Sequence, residues 1–185
     1  MEDIFLIGPK HSGKTSVGRI LSSLCSREFI DLDELITQRT GKSPRELYKE
    51  NPDIFKKAEA EAVAALINED YAEQNNISFN KTGRFRIIAA GGGVIDNNEA
   101  LALLNKTGVV KIYLDISADS VWERINDSGN GELPPFLQTD NPQETHRVLH
   151  ERRAAGYRQI ADIIIETEGK TPDEIAAEIV TIKSL

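Results

Sequence analysis

The chain has 185 residues and a mass of 20.5 kDa, which is the size of one domain. An apolar fraction of 39% and a charged fraction of 28% are typical of a globular protein and exclude a chain that is disordered throughout. The net charge of −8 argues against a nucleic-acid-binding surface, which would be basic, and the single cysteine, Cys25, excludes a disulfide framework.

Short apolar runs alternate with helical patterns along the chain. In chain order, the predicted strands are residues 4–7, 29–30, 85–90, 109–114 and 163–166. The predicted helices are residues 13–24, 35–41, a helix that starts at 43, and residues 54–72, 98–105, 118–125, 144–160 and 172–182. This alternation favours an α/β fold whose parallel sheet is covered on both faces.

Two stretches have no periodic pattern. Residues 126–142 are rich in glycine and proline, and a long irregular segment in a compact domain is typical of a lid, a binding loop or a disordered region. We therefore predict a lid segment at about 126–142 within a single domain that spans residues 1–185. We predict that residues 75–84 form a polar connection between the helix at 54–72 and the strand at 85–90.

The strongest motif is residues 8–15, which fit the phosphate-binding pattern G-x-x-x-x-G-K-[ST] between a strand and a helix. Its backbone N–H groups would wrap a phosphate at the positive end of that helix. Lys14 would reach the β- and γ-phosphates of ATP, and the Thr15 hydroxyl would ligate Mg²⁺. We interpret His11 as a solvent-facing loop residue rather than a catalytic group. The candidate nucleotide-binding residues here are Gly8, His11, Ser12, Gly13, Lys14, Thr15 and Ser16.

Asp31 and Asp33 flank Leu32 at the end of the second predicted strand. Two residues apart in a strand, both carboxylates would share a side and face the crevice where open α/β sheets bind ligands. One could hold the hydration shell of Mg²⁺, and the other could accept a hydroxyl proton from a substrate. The alternative is a helix N-cap with a solvated neighbour, but beside a phosphate loop we favour the functional interpretation.

Gly91, Gly92 and Gly93 directly follow the third predicted strand. Their N–H groups could approach a γ-phosphate or a substrate hydroxyl without side chains in the way; the alternative is a flexible turn.

The helix predicted at 144–160 carries four arginines and two histidines. An arginine there could hold a carboxylate or phosphate, although most such charges lie on solvated faces. His146 and His150 are four residues apart, and we interpret them as a solvated face rather than a metal site.

In this order, the motifs resemble the shikimate kinase family over nearly the whole chain. The matching residues are 8–15, 31–33, 39–41, 55–59 and 91–93, together with Arg153 and Tyr157. The resemblance implies a P-loop fold of three α/β/α layers with a five-stranded parallel sheet and a lid. It also implies a monomeric enzyme that transfers the γ-phosphoryl group of ATP to the 3-hydroxyl of shikimate.

The resemblance assigns roles by position. Lys14 and Asp33 would be catalytic, and Thr15 and Asp31 would serve Mg²⁺. Arg124 falls near the arginine that stacks on adenine. The implied substrate-binding residues are Asp33, Lys56, Gly91, Gly92, Gly93 and Arg153, with Arg153 as the clamp for the shikimate carboxylate.

Several positions depart from the family pattern. Lys56 stands where an arginine is usual, so the bidentate fork is lost, and His11 stands where a glycine is common. The family lid usually carries an Arg-Pro pair, whereas residues 133–136 here read Leu-Pro-Pro-Phe, with no lysine or arginine between Arg124 and Arg147.

Three hypotheses follow from these departures. The protein is a shikimate kinase whose lid cation comes from elsewhere, such as Lys10 or Arg147; or it is a related kinase for another polyhydroxy acid, such as gluconate; or it is a catalytically weak nucleotide-binding relative. The complete set of phosphate-loop residues, aspartates and glycines favours the first.

The expected partners are ATP, Mg²⁺ and a small-molecule substrate. We find neither a secretory signal nor an apolar run of the ~20 residues that a membrane span needs. We therefore expect a cytoplasmic monomer that binds no nucleic acid and no membrane.

Overall fold

The computed structural model of the chain describes residues 2–68, 85–106, 108–127 and 137–185. The strands are β1 (Asp3–Ile7), β2 (Phe29–Asp31), β3 (Ile87–Ala89), β4 (Val109–Asp115) and β5 (Ile163–Glu166). The helices are α1 (Lys14–Cys25), α2 (Leu32–Thr40), α3 (Pro44–Glu50), α4 (Pro52–Ile67), α5 (Asn98–Leu104), α6 (Ala118–Asp127), α7 (Pro142–Ile160) and α8 (Pro172–Lys183), with a 3-10 turn at Val94–Asp96.

The five strands form one parallel sheet in the order β2-β3-β1-β4-β5. Alternation along the central strand β1 sends Phe5 and Ile7 to one face and Ile4 and Leu6 to the other, and all four are buried. Residues of α2 and α4 cover the first face, and residues of α1 and α8 cover the second. The predicted three-layer α/β architecture with a five-stranded sheet is therefore confirmed.

The strand order decides where the predicted motifs meet. The strands β2, β3 and β1 are neighbours and run in the same direction, so their carboxyl ends lie side by side. The phosphate loop follows β1, Asp31 ends β2, and the three glycines follow β3. Three segments that are far apart in sequence thus converge at one edge of the sheet, where such folds bind ligands.

Several element boundaries differ from the prediction, among them those of β2 and α4. Asp31 and Asp33 do not share a strand, because β2 ends at Asp31 and α2 begins at the next residue. The helix predicted at 54–72 starts earlier, at Pro52, since Asn51 caps it by accepting a hydrogen bond from the N–H of Asp53; its C-cap is Asn68.

The irregular segments fall mostly outside the described residues. Of the lid predicted at 126–142, residues 126–127 belong to α6, residue 142 begins α7, and residues 128–136 lie outside the part of the chain that the structure describes. The polar connection predicted at 75–84 lies entirely outside it.

The prediction that His146 and His150 form a solvated face is wrong, because both side chains are buried. His146 Nε2 lies 3.1 Å from the Ala118 carbonyl oxygen, and His150 Nε2 lies 2.9 Å from that of Ile116. The helix α7 packs here on Ile116, which precedes α6, and on Ala118, which begins α6, and a buried carbonyl group needs a hydrogen-bond donor. Burial lowers the pKa of both imidazoles, so these residues are neutral structural contacts at pH 7.

Candidate active site

The phosphate loop curls around the ammonium group of Lys14. Gly8 and Gly13 have φ values of +145° and +91°, a region that favours glycine. Lys14 Nζ donates to the carbonyl oxygens of Gly8 at 3.0 Å and Pro9 at 2.7 Å, and it lies 3.4 Å from Ser12 Oγ. The predicted loop therefore forms, with its lysine at the centre.

Burial sets the charge balance of this loop. Burial lowers the pKa of Lys14 to about 8, and the carboxylates of Asp33 and Asp31 partly oppose that shift. The ammonium group stays mostly charged at pH 7, while its desolvation favours any anion that can lie against it. A phosphate group is such an anion.

Asp31 caps α2 and also contacts the phosphate loop. Its Oδ1 atom caps α2 by accepting hydrogen bonds from the N–H groups of Asp33 at 3.0 Å and Glu34 at 3.4 Å. Its Oδ2 atom accepts a hydrogen bond from Thr15 Oγ1 at 2.8 Å. One side chain thus joins the start of α2 to the start of α1.

The oxygen atoms of Thr15 and Asp31 fit a magnesium ion. Mg²⁺ prefers hard oxygen ligands, keeps several waters, and is usually held by one or two protein groups together with substrate phosphates. Across the described ranges, no group of three or more His, Cys, Asp or Glu side chains could hold a metal by itself. A shared protein–phosphate site beside Lys14 is compatible with that finding.

Asp33 lies in the first turn of α2 and faces the same cleft as Lys14. Burial, and then the charge of Asp31, raise the pKa of Asp33, while Lys14 and Lys10 lower it. A carboxylate with a raised pKa is a better proton acceptor for a substrate hydroxyl.

One cleft of about 490 Å³ collects these groups. The phosphate loop, both aspartates, Gly92 and Arg124 line it, as predicted. One wall of the cleft was not among the predicted site residues. It consists of Thr167, Lys170, Pro172 and Ile175. These residues follow β5, so the rule that ligands bind beyond the carboxyl ends of parallel strands could have identified them.

The triple glycine forms a hydrogen-bonded turn, in which the N–H groups of Val94 and Asp96 donate to the carbonyl oxygens of Gly91 and Gly93. The N–H group of Ala90 donates to the Leu6 carbonyl oxygen at 3.0 Å, which ties the turn to β1. A Cβ atom on Gly92 would lie 2.6 Å from the backbone nitrogen of Lys10, so only glycine fits where the turn meets the phosphate loop. We call residues 91–97 the glycine turn.

Glu59 is one of the residues that carry the family resemblance, which implies no role for it. In the structure it lies against the glycine turn. It is 0% exposed, and its Oε2 atom accepts a hydrogen bond from Asn97 Nδ2 at 2.9 Å. The Oε1 atom is buried without a hydrogen-bond partner, and a Cβ atom on Gly91 would lie 2.8 Å from it. Burial raises the pKa of Glu59 to about 7.

The side chain of Arg153 reaches the glycine turn, whereas that of Lys56 does not. The guanidinium group of Arg153 donates from Nη1 to the Gly92 carbonyl oxygen at 3.3 Å, and the Tyr157 hydroxyl donates to the same oxygen at 3.2 Å. Lys56 is exposed, and only its carbonyl oxygen is engaged, by Asn97 Nδ2 at 2.8 Å. The structure therefore brings one of the two predicted substrate cations into the site.

Arg124 and His11 are in contact at the outer end of the phosphate loop. Arg124 Nη1 donates to the His11 carbonyl oxygen at 2.7 Å. His11 is half-buried in the cleft wall with a φ of +64°, rather than facing solvent as predicted. Burial, and then the charges of Lys10 and Lys14, lower the pKa of His11, which keeps the imidazole neutral at pH 7.

Comparison with known proteins gives one consistent result. The sequence profile described as "Shikimate kinase" matches residues 10–183. A shikimate kinase of Thermodesulfovibrio yellowstonii is 33% identical over 181 residues, which cover 97% of this chain and 94% of that relative. The structure of a shikimate kinase from Acinetobacter baumannii in complex with shikimate superimposes with a TM-score of 0.79 at 28% identity, covering 100% of this chain and 93% of that one.

A gluconokinase from Sinorhizobium meliloti 1021 superimposes less closely. Its TM-score is 0.53 at 15% identity, with coverage of 97% of this chain and 90% of that one. At this level of identity, the likeness shows a shared fold alone.

Replacing Gly92 by alanine tests the contact between the two loops. The added Cβ atom would meet the backbone of Lys10, which cannot rotate away, so Gly92→Ala is expected to lower the free energy of unfolding by about 1–3 kcal/mol. Gly93→Ala is the matched control, because its Cβ atom would meet only Arg153 Nη2, at 3.3 Å. Urea unfolding measures both variants, and equal losses would contradict the proposed contact.

The buried carboxyl of Glu59 predicts a pH dependence of stability. Its folded pKa of about 7 lies above the ordinary value of 4.5, so the wild type loses stability as pH rises from 4.5 through 7. Glu59→Gln removes this titration and is expected to gain roughly 2.5 kcal/mol on the wild type between pH 5 and pH 8.

Urea unfolding at both pH values measures the effect of Glu59→Gln. Glu61→Gln, two residues further along α4, is the control and should follow the wild-type pH profile. A Glu59→Gln profile parallel to that of the wild type would mean that Glu59 does not take up a proton on folding.

Proposed function

This chain belongs to the shikimate kinase family, and we propose that it transfers the γ-phosphoryl group of ATP to the 3-hydroxyl of shikimate. The observation that carries the proposal is the placement of Lys14 and Asp33 in one cleft, between the phosphate loop and the glycine turn. We assign the phosphate loop to the donor side of that cleft. We assign to the acceptor side the glycine turn, of which Gly92 lines the cleft, together with Arg153, which contacts the Gly92 carbonyl oxygen.

The donor side binds the nucleotide. The ATP phosphates lie against the N–H groups and side chains of Gly8, His11, Ser12, Gly13, Lys14, Thr15 and Ser16, and Arg124 covers the adenine. Thr15 and Asp31 hold Mg²⁺, which, when bound, neutralises charge on the β- and γ-phosphate oxygens.

The acceptor side holds and activates the substrate. Gly91, Gly92 and Gly93 line the pocket, Arg153 clamps the carboxylate, and Asp33 orients the 3-hydroxyl and accepts its proton. The hydroxyl oxygen forms the new bond to the γ-phosphorus, while the bond from that phosphorus to the β,γ-bridging oxygen breaks and its electron pair leaves with ADP. The Lys14 ammonium stabilises the charge on the transferring group.

The glycine turn and Arg153 favour shikimate over the alternative acceptors. The likeness to a gluconokinase is at 15% identity and supports a shared fold alone. A binding-only relative would not need Asp33 beside Lys14. Across the described part of the chain, no helix is long and apolar enough to cross a membrane. We further propose that the enzyme acts as a monomer, since one chain supplies both sides of the cleft. We also propose that it acts in the cytoplasm and needs no nucleic acid.

Lys14→Ala is expected to reduce shikimate-dependent ADP release by about 10³-fold or more while the fold stays intact, because it removes the charge at the γ-phosphate. Coupled-enzyme assays of ADP and circular dichroism measure the two properties. Lys49→Ala, an exposed lysine on α3, should behave as the wild type. Release that gluconate stimulates more than shikimate would replace the proposed acceptor, and retained activity in Lys14→Ala would exclude the phosphate loop from the reaction.

Lys10 and Arg147 are the two side chains that could replace a lid arginine, and Arg147 already has ion-pair partners. Its Nη2 and Nη1 atoms lie 2.6 Å from Glu144 Oε1 and 2.7 Å from Glu151 Oε1. Arg147 does not line the cleft that contains Lys14. It is therefore the weaker candidate.

Lys10 is the stronger candidate. It lines the cleft beside Gly92, and its charge influences the pKa of both Lys14 and Asp33. Arg124 donates a hydrogen bond to the phosphate loop, and Lys170 forms an ion pair with Glu178. The side chain of Lys10, in contrast, has no hydrogen-bond or ion-pair partner within the described ranges. We propose that Lys10 contacts the transferring phosphoryl group.

Lys10→Met is expected to lower kcat by about tenfold or more and to change the KM for ATP and for shikimate by less than about threefold, because the contact strengthens as charge develops. Lys10→Arg should recover most of kcat. Steady-state kinetics measure both variants against Lys49→Met as the control. An unchanged kcat in Lys10→Met would exclude Lys10 from phosphoryl transfer.

A further inference from the structure

One carboxylate joins Arg153 to the glycine turn. Arg153 Nε lies 2.9 Å and Nη2 lies 2.8 Å from Asp96 Oδ2, so two neighbouring guanidinium donors share one carboxylate oxygen. The contact from Nη1 to Gly92 uses a third donor. Of the five guanidinium N–H groups, one on each terminal nitrogen remains for a ligand.

The same turn also contacts α4. Asp96 closes the 3-10 turn by donating its N–H to the Gly93 carbonyl oxygen at 2.9 Å. The next residue, Asn97, donates to Glu59 Oε2 and to the Lys56 carbonyl oxygen on α4. The glycine turn therefore sets the position of α4 through Asn97 and that of Arg153 on α7 through Asp96.

The pair of Asp96 and Arg153 is ionised and only partly solvated. Burial alone would raise the pKa of Asp96, but hydrogen bonds and charges from Arg152 and Arg153 outweigh it and hold that pKa below its ordinary range. The side chains of Arg153 and Asp96 are 21% and 25% exposed. Arg152, which lies 2.8 Å from Asp96 Oδ1, is 60% exposed, so its pair is screened by solvent.

From these contacts, we propose that Asp96 is a positioning residue that holds Arg153 in the orientation in which it binds the carboxylate of the acceptor. This inference rests on the proposed function, because it takes the acceptor to be shikimate. Without Asp96, the Arg153 side chain keeps its charge but loses the partner that fixes its rotamer. Substrate binding must then order that side chain, and the entropy cost of doing so weakens the binding. Asp96 itself does not touch the substrate.

The test replaces the carboxylate by an amide of the same size. Asp96→Asn is expected to raise the KM for shikimate, and the dissociation constant for shikimate measured by calorimetry without nucleotide, by about tenfold. The kcat and the KM for ATP should change by less than about threefold, because the reacting hydroxyl and the nucleotide lie outside this contact. Arg153→Ala should likewise raise the KM for shikimate much more than the KM for ATP.

A double-mutant cycle separates positioning from general loosening of the fold. If Asp96 acts through Arg153, then Asp96→Asn will have no further effect on the KM for shikimate in the Arg153→Ala background. Asp3→Asn is the matched control, because Asp3 Oδ2 accepts from Arg86 Nε at 3.1 Å in a similarly buried pair at the start of β1, the opposite end of the strands from the glycine turn. Its shikimate constants should equal those of the wild type. Should Asp96→Asn not fold, Asp96→Glu carries the same comparison.

The outcomes distinguish this inference from the proposed function. Wild-type shikimate affinity in Asp96→Asn, or an undiminished effect in the Arg153→Ala background, would overturn the positioning role. A wild type that binds shikimate but releases no ADP would refute the proposed function, and the calorimetric comparison would still decide the role of Asp96. A wild type that binds no shikimate would overturn both.

Discussion

The phosphate loop and the glycine turn touch backbone to backbone, and the rest of the cleft is arranged around that contact. In the sheet, Leu6 of β1 pairs with Ala89 of β3, so the segments that leave the two strands run side by side. Gly92 approaches Lys10 so closely that a side chain has no room. Donor and acceptor sides are therefore held at a separation that two adjacent strands determine, rather than by a hinge.

Opposite charges share this confined space. Burial acts against both charged forms, because it lowers the pKa of Lys14 and raises that of Asp33. A phosphate chain with its metal ion would add charge of each sign to the cleft, so that each buried group gains a partner. The arrangement favours a ligand that is strongly anionic at one end and carries a hydroxyl at the other.

Local patterns predicted much of this architecture, because the phosphate loop and the strand–helix alternation are properties of short segments. The boundary at Asp31 was misplaced, since an aspartate suits both the end of a strand and the start of a helix. The contacts of Asp96 and Glu59 could not be predicted, as their partners lie 57 and 38 residues away in the chain. For His146, the periodicity identifies a helix face, but only the tertiary structure shows that α6 covers it.

The contacts of Lys14 within its own loop have a consequence for the turnover cycle. The ammonium group donates to the carbonyl oxygens of Gly8 and Pro9. Under the proposed function, a phosphate that binds Lys14 competes with these two acceptors, so the net gain from the new hydrogen bonds is much smaller than their strength. A loop that competes with its own ligand in this way favours fast release of product over tight retention.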